Sequence, residues 1–335
     1  LSRAVYVKQV EVGGVLVEVG GKKFALDSKA AIPASIYFYS HAHRDHLGTP
    51  APNSKIVASR ETVRLAKIQG VSLREAKEQD NIYRTGHVLG STGILLEDSV
   101  YYTGDIAGRT RGFMPTATPV PCRVLIIEAT YGKPKYRFPP ITEVVDRANE
   151  LIDAAFSQGV PVLLLGYPLG KCQLLTYFFS IWEPHLFISD DVERFNRAYR
   201  SFGVDLIKAP SLEGALGSGG LTKTPWLGIA PLSPYARRLK EVIRRTVGRP
   251  PLMVAFSGWG IDEGAAVRFG VDCVLPLSDH CDYEELLSYI KACNPEKVYT
   301  VHGYVHELAQ RLREMGFDAT PLGCHKEAGA VYILE

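Results

Sequence analysis

The sequence predicts an α/β chain of two textures, and three observations carry that reading. Residues up to about 130 are strand-rich with short Gly turns, residues 141–256 alternate helices with apolar strands, and metal-ligand side chains recur at strand ends. Strands are expected at 4–10, 14–19 and 22–26, the last ended by Asp27. A strand at 35–39 delivers His41, and one at 56–59 precedes helical spacing over 61–69. Strands near 93–97 and 99–103 bracket a turn, and 123–128 is an apolar strand ending in Glu128.

After Tyr131 the texture changes. A basic, Pro-bearing linker at 133–140 leads to a helix at 141–157, whose apolar side chains at 144, 145, 148, 151, 152 and 155 line one face. A pure apolar strand (161–165), helix (171–181), short strand (186–188) and helix (190–201) follow; this alternation indicates a parallel sheet. The Gly-rich segment 214–220 reads as a surface loop. Beyond it come a strand near 226–230, a basic helix (234–247) read as a solvated face, and strands 252–256 and 271–276. A helix at 283–293, a strand at 297–301 reaching His302, and a helix at 305–315 lead to a final strand.

Composition narrows the class. The chain has 335 residues, 46% hydrophobic and 22% charged, which suits a globular protein with room for two domains. No apolar run approaches the ~20 residues of a membrane span, and no signal peptide opens the chain, so a cytoplasmic setting is expected. A net charge of +2 excludes a polybasic tail without excluding local basic patches or bound cations. The six cysteines form no C-x-x-C pair, so reduced thiols are expected rather than a cysteine zinc site.

The densest chemistry is His41-Ala42-His43-Arg44-Asp45-His46. In an extended segment His41 and His43 point to one side and can share a metal, and a turn into a helix swings Asp45 and His46 to a second ion. Such a His/carboxylate set favours zinc in a hydrolytic setting, with Mn or Fe as substitutes. The plain alternative is a polar helix start with chance histidines. Four other strand ends weigh against it: Thr85-Gly86-His87, Tyr102-Thr103-Gly104-Asp105, Ser278-Asp279-His280-Cys281-Asp282-Tyr283 and Val301-His302-Gly303.

In this order the motifs resemble the metallo-β-lactamase fold. Glu128-Ala129-Thr130-Tyr131-Gly132, the segment 278–283 and Val301-His302-Gly303 resemble the extra motifs of its β-CASP nuclease branch. Likeness is greatest to compact prokaryotic members known as ligase-associated DNA exonucleases and mRNA 3′-end-processing-like factors, through segments 128–138, 170–173, 256–259 and 278–283. The spacing of His280 and His302 is also that of the pre-mRNA 3′-end endonuclease. The resemblance covers nearly the whole chain, apart from the loop around 211–224. It implies an αββα sandwich formed by residues 1–133 and 271–335, with an α/β β-CASP domain inserted at 134–270.

The resemblance further implies two Zn²⁺ per chain, with Mn²⁺ as a substitute. His41, His43 and His87 would hold one ion, Asp45, His46 and His302 the other, and Asp105 would bridge. Asp27 would orient a ligand histidine, His280 would be the general acid, and Glu128 would orient His280. Asp45 belongs to the catalytic set as well as to the ligands. His302 stands where eukaryotic DNA-repair members typically carry Val, whereas RNA-processing members and the ligase-associated group carry His, so this position does not separate DNA from RNA.

The chemistry explains the residue types. A phosphodiester repels hydroxide and has a poor leaving alkoxide; paired zinc ions answer the first problem, and a histidine with its proton held by a carboxylate answers the second. The expected enzyme is a zinc-dependent nuclease, by preference a DNA exonuclease of repair acting on single-stranded or end-bearing DNA. RNA end maturation is the alternative. A silent binding subunit is disfavoured because no ligand position is missing. A functional link to a DNA ligase or helicase follows from the resemblance, and oligomeric state stays open. For phosphate contacts, Lys171 follows Gly170 at a helix start, Ser257 and Gly258 end a strand, and Lys133, Lys135 and Arg137 flank the expected cleft. Their alternative reading is solvated linker charge and an ordinary cap. His306 reads as a helix-surface histidine, and His185 and His325 carry no assignment.

Overall fold

A computed structural model describes residues 5–10, 13–73, 79–221 and 225–322; His325 and Cys324 lie outside the described residues. The described residues divide into two compact units, one within 5–110, 114–137 and 280–322, the other within 111–113 and 138–279.

In the first unit, β1 (Tyr6–Gln9), β2 (Val15–Val19), β3 (Lys22–Leu26), β4 (Ile36–Phe38) and β5 (Lys55–Val57) form one sheet in that order, antiparallel through β3 and parallel thereafter. Helix α1 (Arg60–Ile68) follows, with the Ser59 hydroxyl accepting from the Thr62 N–H. Next come β6 (Ile82–Arg84), β7 (Thr92–Leu96), β8 (Val100–Tyr102) and β9 (Val124–Ala129).

The second unit contains α2 (Ile141–Ser157), β10 (Val162–Gly166), α3 (Lys171–Phe178), a 3₁₀ turn (Ser180–His185), β11 (Leu186–Ile188), α4 (Asp190–Ser201), α5 (Leu212–Gly217), β12 (Leu227–Pro231), α6 (Pro234–Val247), β13 (Leu252–Phe256), α7 (Ala265–Phe269) and β14 (Cys273–Leu275). Its five strands are all parallel, in the order β11-β12-β10-β13-β14. Both faces of β10 are covered. Val162 and Leu164 meet α2 through Ala148 and Ile152, while Leu163 and Leu165 share a core with Leu239 and Ile243 of α6. That double burial is why these strands read as continuous apolar runs.

Two expectations change here. The 214–220 segment is not a plain loop, because Leu212 and Leu216 are buried in a short helix whose start is capped by Ser211, with its hydroxyl accepting from the Gly214 N–H at 3.0 Å. The expected return to the first unit at 271 comes later, since β14 pairs with β13 and only His280 onward rejoins that unit.

The first unit resumes with α8 (Tyr283–Cys293), β15 (Lys297–Gly303), α9 (Val305–Glu314) and β16 (Asp318–Pro321), giving a six-stranded sheet in the order β16-β15-β9-β8-β7-β6. Period-two alternation along β9 sorts its side chains. Val124 and Ile126 join Phe24, Leu26 and Phe38 of the first sheet in the inter-sheet core, while Leu125, Ile127 and Ala129 join the cluster containing Ile290 and Leu308 of α8 and α9. Glu128 follows Val124 and Ile126 on the inter-sheet face, at the strand's end. The ladder therefore fixes where its carboxylate points.

Candidate metal centre and proton donor

The hexapeptide follows β4, and its backbone is locked by Asp27, which ends β3. Asp27 accepts from the Ser40 amide (2.6 Å) and hydroxyl (2.5 Å), from the Tyr102 hydroxyl (2.8 Å), and meets His46 Nδ1 at 2.9 Å. Its φ of 47° places it in the left-handed region, where an Asp tolerates what most residues do not. Ser40 Oγ also lies 2.9 Å from His41 Nδ1, so both imidazoles present Nε2 to the same space.

That space is crowded with donors. His43 Nδ1 lies 3.1 Å from both His41 Nε2 and His87 Nε2, and Asp105 Oδ2 lies 3.5 Å from each of those Nε2 atoms. Ligands ~2.0–2.1 Å from a tetrahedral zinc sit about 3.3 Å from one another, so this quartet has the spacing that zinc requires. The same Asp105 oxygen is 3.4 Å from His46 Nε2, which is 3.8 Å from Asp45 Oδ2. The rings of His46 and His302 are 5.0 Å apart. His302 Nε2 and Asp105 Oδ1 are buried and make no hydrogen bond, a costly state that cations on both sides of Asp105 would relieve. The residues present fit zinc as a ligand set.

Electrostatics agree. Burial, with His46 and His87 beside it, pushes His41 well below its usual pKa, which favours the neutral imidazole. Burial, then His46, lowers His302 to about 4. For His46, burial pulls down but Asp105, Asp45 and Asp27 outweigh it and raise the ring to about 10. Burial raises Asp105 to about 7, with Glu128 adding to it and His46 opposing. Without cations the cage thus retains protons that a metal would displace.

Local sequence delivers the outlying ligands. Gly86 and Gly104, one residue before His87 and Asp105, have φ of 71° and 57°; a Cβ there would stand 2.2 Å from Pro115 O and 2.5 Å from Ser40 Cβ. His302, expected beyond its strand, lies within β15 at a register shift between Val301 and Gly303, with φ 58°. A bulge of this kind re-aims a side chain.

Beside the cage, His280 Nδ1 lies 2.9 and 2.8 Å from the two Glu128 oxygens, and its ring is 4.4 Å from that of His87. Glu128 Oε1 also accepts the Ile106 N–H at 2.7 Å. Burial pushes the Glu128 carboxyl up, but His280 and hydrogen bonds from His280, Thr130 and Ile106 hold it below its ordinary value. A buried carboxylate on Nδ1 leaves Nε2 as the nitrogen that can deliver a proton. Tyr131 stands edge-on to His280, centroids 5.8 Å apart. Sequence reading missed Ser40, Tyr102 and Thr130, whose hydroxyls carry no local signature.

The phosphate-contact expectations fare differently. Lys171 is not a surface contact: it is buried, and its Nζ donates to Asp279 Oδ1 (2.8 Å) and Leu277 O (2.6 Å). Ser257 is buried and accepts from the Trp259 N–H at 3.3 Å, capping a short 3₁₀ turn that begins at the buried Gly258. Lys133 Nζ pairs with Glu307 at 2.9 Å and lies 4.2 Å from the Tyr304 ring centre, and Arg137 pairs with Glu284. Lys135 lies over Tyr136. His185 packs on Phe156, and His306 is in the first turn of α9.

The clustered histidines and carboxylates form a cage that could hold metal ions. A family model described as the Zn-dependent metallo-hydrolase RNA specificity domain matches residues 264–320. The chain is 33% identical over 310 residues to a probable DNA ligase of Opitutus terrae, covering 88% of this chain and 29% of that protein. It is 28% identical over 206 residues to an RNase J-like protein of Methanocaldococcus jannaschii, covering 49% of this chain and 48% of that one. The chain thus spans less than half the length of these relatives. A crystal structure of a protein of unknown function from Enterococcus faecalis V583 shares the fold, with a TM-score of 0.59 at 12% identity over 98% of this chain and 99% of that one. The chain is thus similar to a Zn-dependent metallo-hydrolase family over residues 264–320 and to proteins named as a DNA ligase and an RNase J-like protein over longer stretches.

Proposed function

We propose that this chain hydrolyses nucleic-acid phosphodiesters with two zinc ions and digests single-stranded or end-bearing DNA from an end, in DNA repair. The observation that carries the reading is the His280–Glu128 pair adjoining the cage. A simple hydrolase of good leaving groups needs no such proton donor, whereas an expelled ribose or deoxyribose alkoxide does.

When bound, zinc ions supply charge neutralisation to the phosphate and a water of lowered pKa, with Mn²⁺ able to stand in. His41, His43 and His87 would hold one, Asp45, His46 and His302 the other, and Asp105 both. Asp45 is the ligand most open to solvent, its side chain 63% exposed, so the substrate enters on its side of the cage. Asp27 fixes the His46 ring, Glu128 fixes the His280 tautomer, and His280 Nε2 protonates the leaving oxygen. Residues 134–270 form the β-CASP domain of this reading. Lys133 keeps a role in phosphate binding only by exchanging Glu307 for the substrate.

DNA is preferred because the likeness to the protein named a DNA ligase spans 88% of the chain. That likeness also supports a functional link to a ligase. The RNA reading rests on the description of the matched segment as an RNA specificity domain and on the RNase J-like relative. Parallel digestion of matched single-stranded DNA and RNA, labelled at either end, tests both. DNA is expected to shorten stepwise with zinc or manganese, and His280→Ala to slow it by ~10²–10⁴ with zinc content unchanged. RNA cleaved in preference to DNA transfers the assignment, and equal rates for variant and parent remove His280 as the acid.

A further inference from the structure

The segment that carries Asp105 and the segment that carries His280 are stitched together twice. Cys281 N–H donates to Ile106 O at 2.8 Å, and four residues past Asp105 the Arg109 guanidinium forms a second clasp. Its Nε donates to Glu285 Oε1 and its Nη2 to Asp282 Oδ2, both at 2.6 Å. Those two carboxylates are already reciprocal caps of α8. Glu285 N–H donates to Asp282 Oδ1 at 2.9 Å, and Asp282 N–H to Glu285 Oε2 at 2.8 Å. Each carboxylate therefore gives one oxygen to the helix start and the other to Arg109. The loop approaches so closely that a Cβ on Gly108 would stand 2.6 Å from Glu285 Cβ.

We propose that Arg109 is a positioning residue for proton delivery: it holds the turn from His280 to Asp282 in register with the loop that bears Asp105. The inference rests on the reading of His280 as general acid. Arg109 need touch neither substrate nor metal. Its planar fork binds two carboxylates in fixed directions, which the single ammonium of lysine cannot reproduce. Without it Asp282 and Glu285 face each other as like charges, and the turn loses one of its two ties to that loop. A displacement near 1 Å of such a group costs about 10²-fold in rate.

The test separates proton delivery from simple loss of structure. Single-stranded DNA has a leaving alkoxide that needs a proton; bis(p-nitrophenyl) phosphate releases a phenolate that does not. Arg109→Gln and Arg109→Lys are compared with the parent on both substrates, in the whole zinc-loaded protein, alongside His280→Ala and the double variant Arg109→Gln/His280→Ala. For the Arg109 variants the expected result is a fall in kcat on DNA of ~10–100-fold with KM little changed and activity on the phenyl ester within about twofold, while the double variant loses no more than His280→Ala alone. Equal losses on both substrates, or additive losses in the double variant, overturn the inference while leaving the nuclease reading intact. A parent that cleaves the phenyl ester but no nucleic acid overturns that reading and the inference with it.

Discussion

At the scale of single residues, Asp27 bears more of the site than its position outside the motifs suggests. Four donors or ring nitrogens converge on its carboxylate, and one of them, Tyr102, is 75 residues away in sequence. Asp27→Asn keeps the size but replaces one oxygen by an amide that cannot accept from all of them, so the His46 ring loses its fixed orientation. Zinc affinity, measured by competition with a chromogenic chelator, is expected to fall roughly 10–100-fold while the fold persists. An unchanged affinity removes Asp27 from the site. The place of Asp27 beside a histidine was expected from its strand end and from the family resemblance, whereas the contacts of Ser40 and Tyr102 were not. A serine hydroxyl beside a histidine has no pattern of its own, and the Tyr102 contact exists only once two sheets pack. Lys171 was misread for a similar reason. A Gly-Lys helix start looks the same whether the lysine faces solvent or is drawn inward by Asp279, which is 108 residues distant.

At the scale of elements, the strand tips were readable because alternation and apolar runs announce a strand and a ligand type announces its end. What sequence did not give was the bend at each tip. Gly86 and Gly104 supply the left-handed backbone that turns His87 and Asp105 toward the cage, and the bulge in β15 does the same for His302 without a glycine at that position. Gly104→Ala is expected to strain the backbone and drive its methyl against Ser40, lowering stability by about 1–3 kcal/mol, with Tm measured on zinc-free protein. An unchanged Tm would mean that this turn is not constrained as described. Element 212–217 shows the opposite case: its glycines masked a helix that two buried leucines and a serine cap hold in place.

At the scale of the whole molecule, the strand-rich and alternating textures correspond to two units with separate cores, although β14 belongs to the second unit rather than the first. The resemblance was visible because the ligand order along the chain survives whatever intervenes. No helix among the described residues is long and apolar enough to cross a membrane. If seven side chains of one unit form a cage whose loading with cations enables phosphodiester cleavage, as proposed, then titrating chelator-stripped protein with zinc while following digestion of labelled single-stranded DNA in the same samples will show it. No cleavage is expected in the stripped protein and full activity at about two zinc ions per chain; undiminished cleavage by metal-free protein, or none once two zinc ions are bound, would refute the proposal.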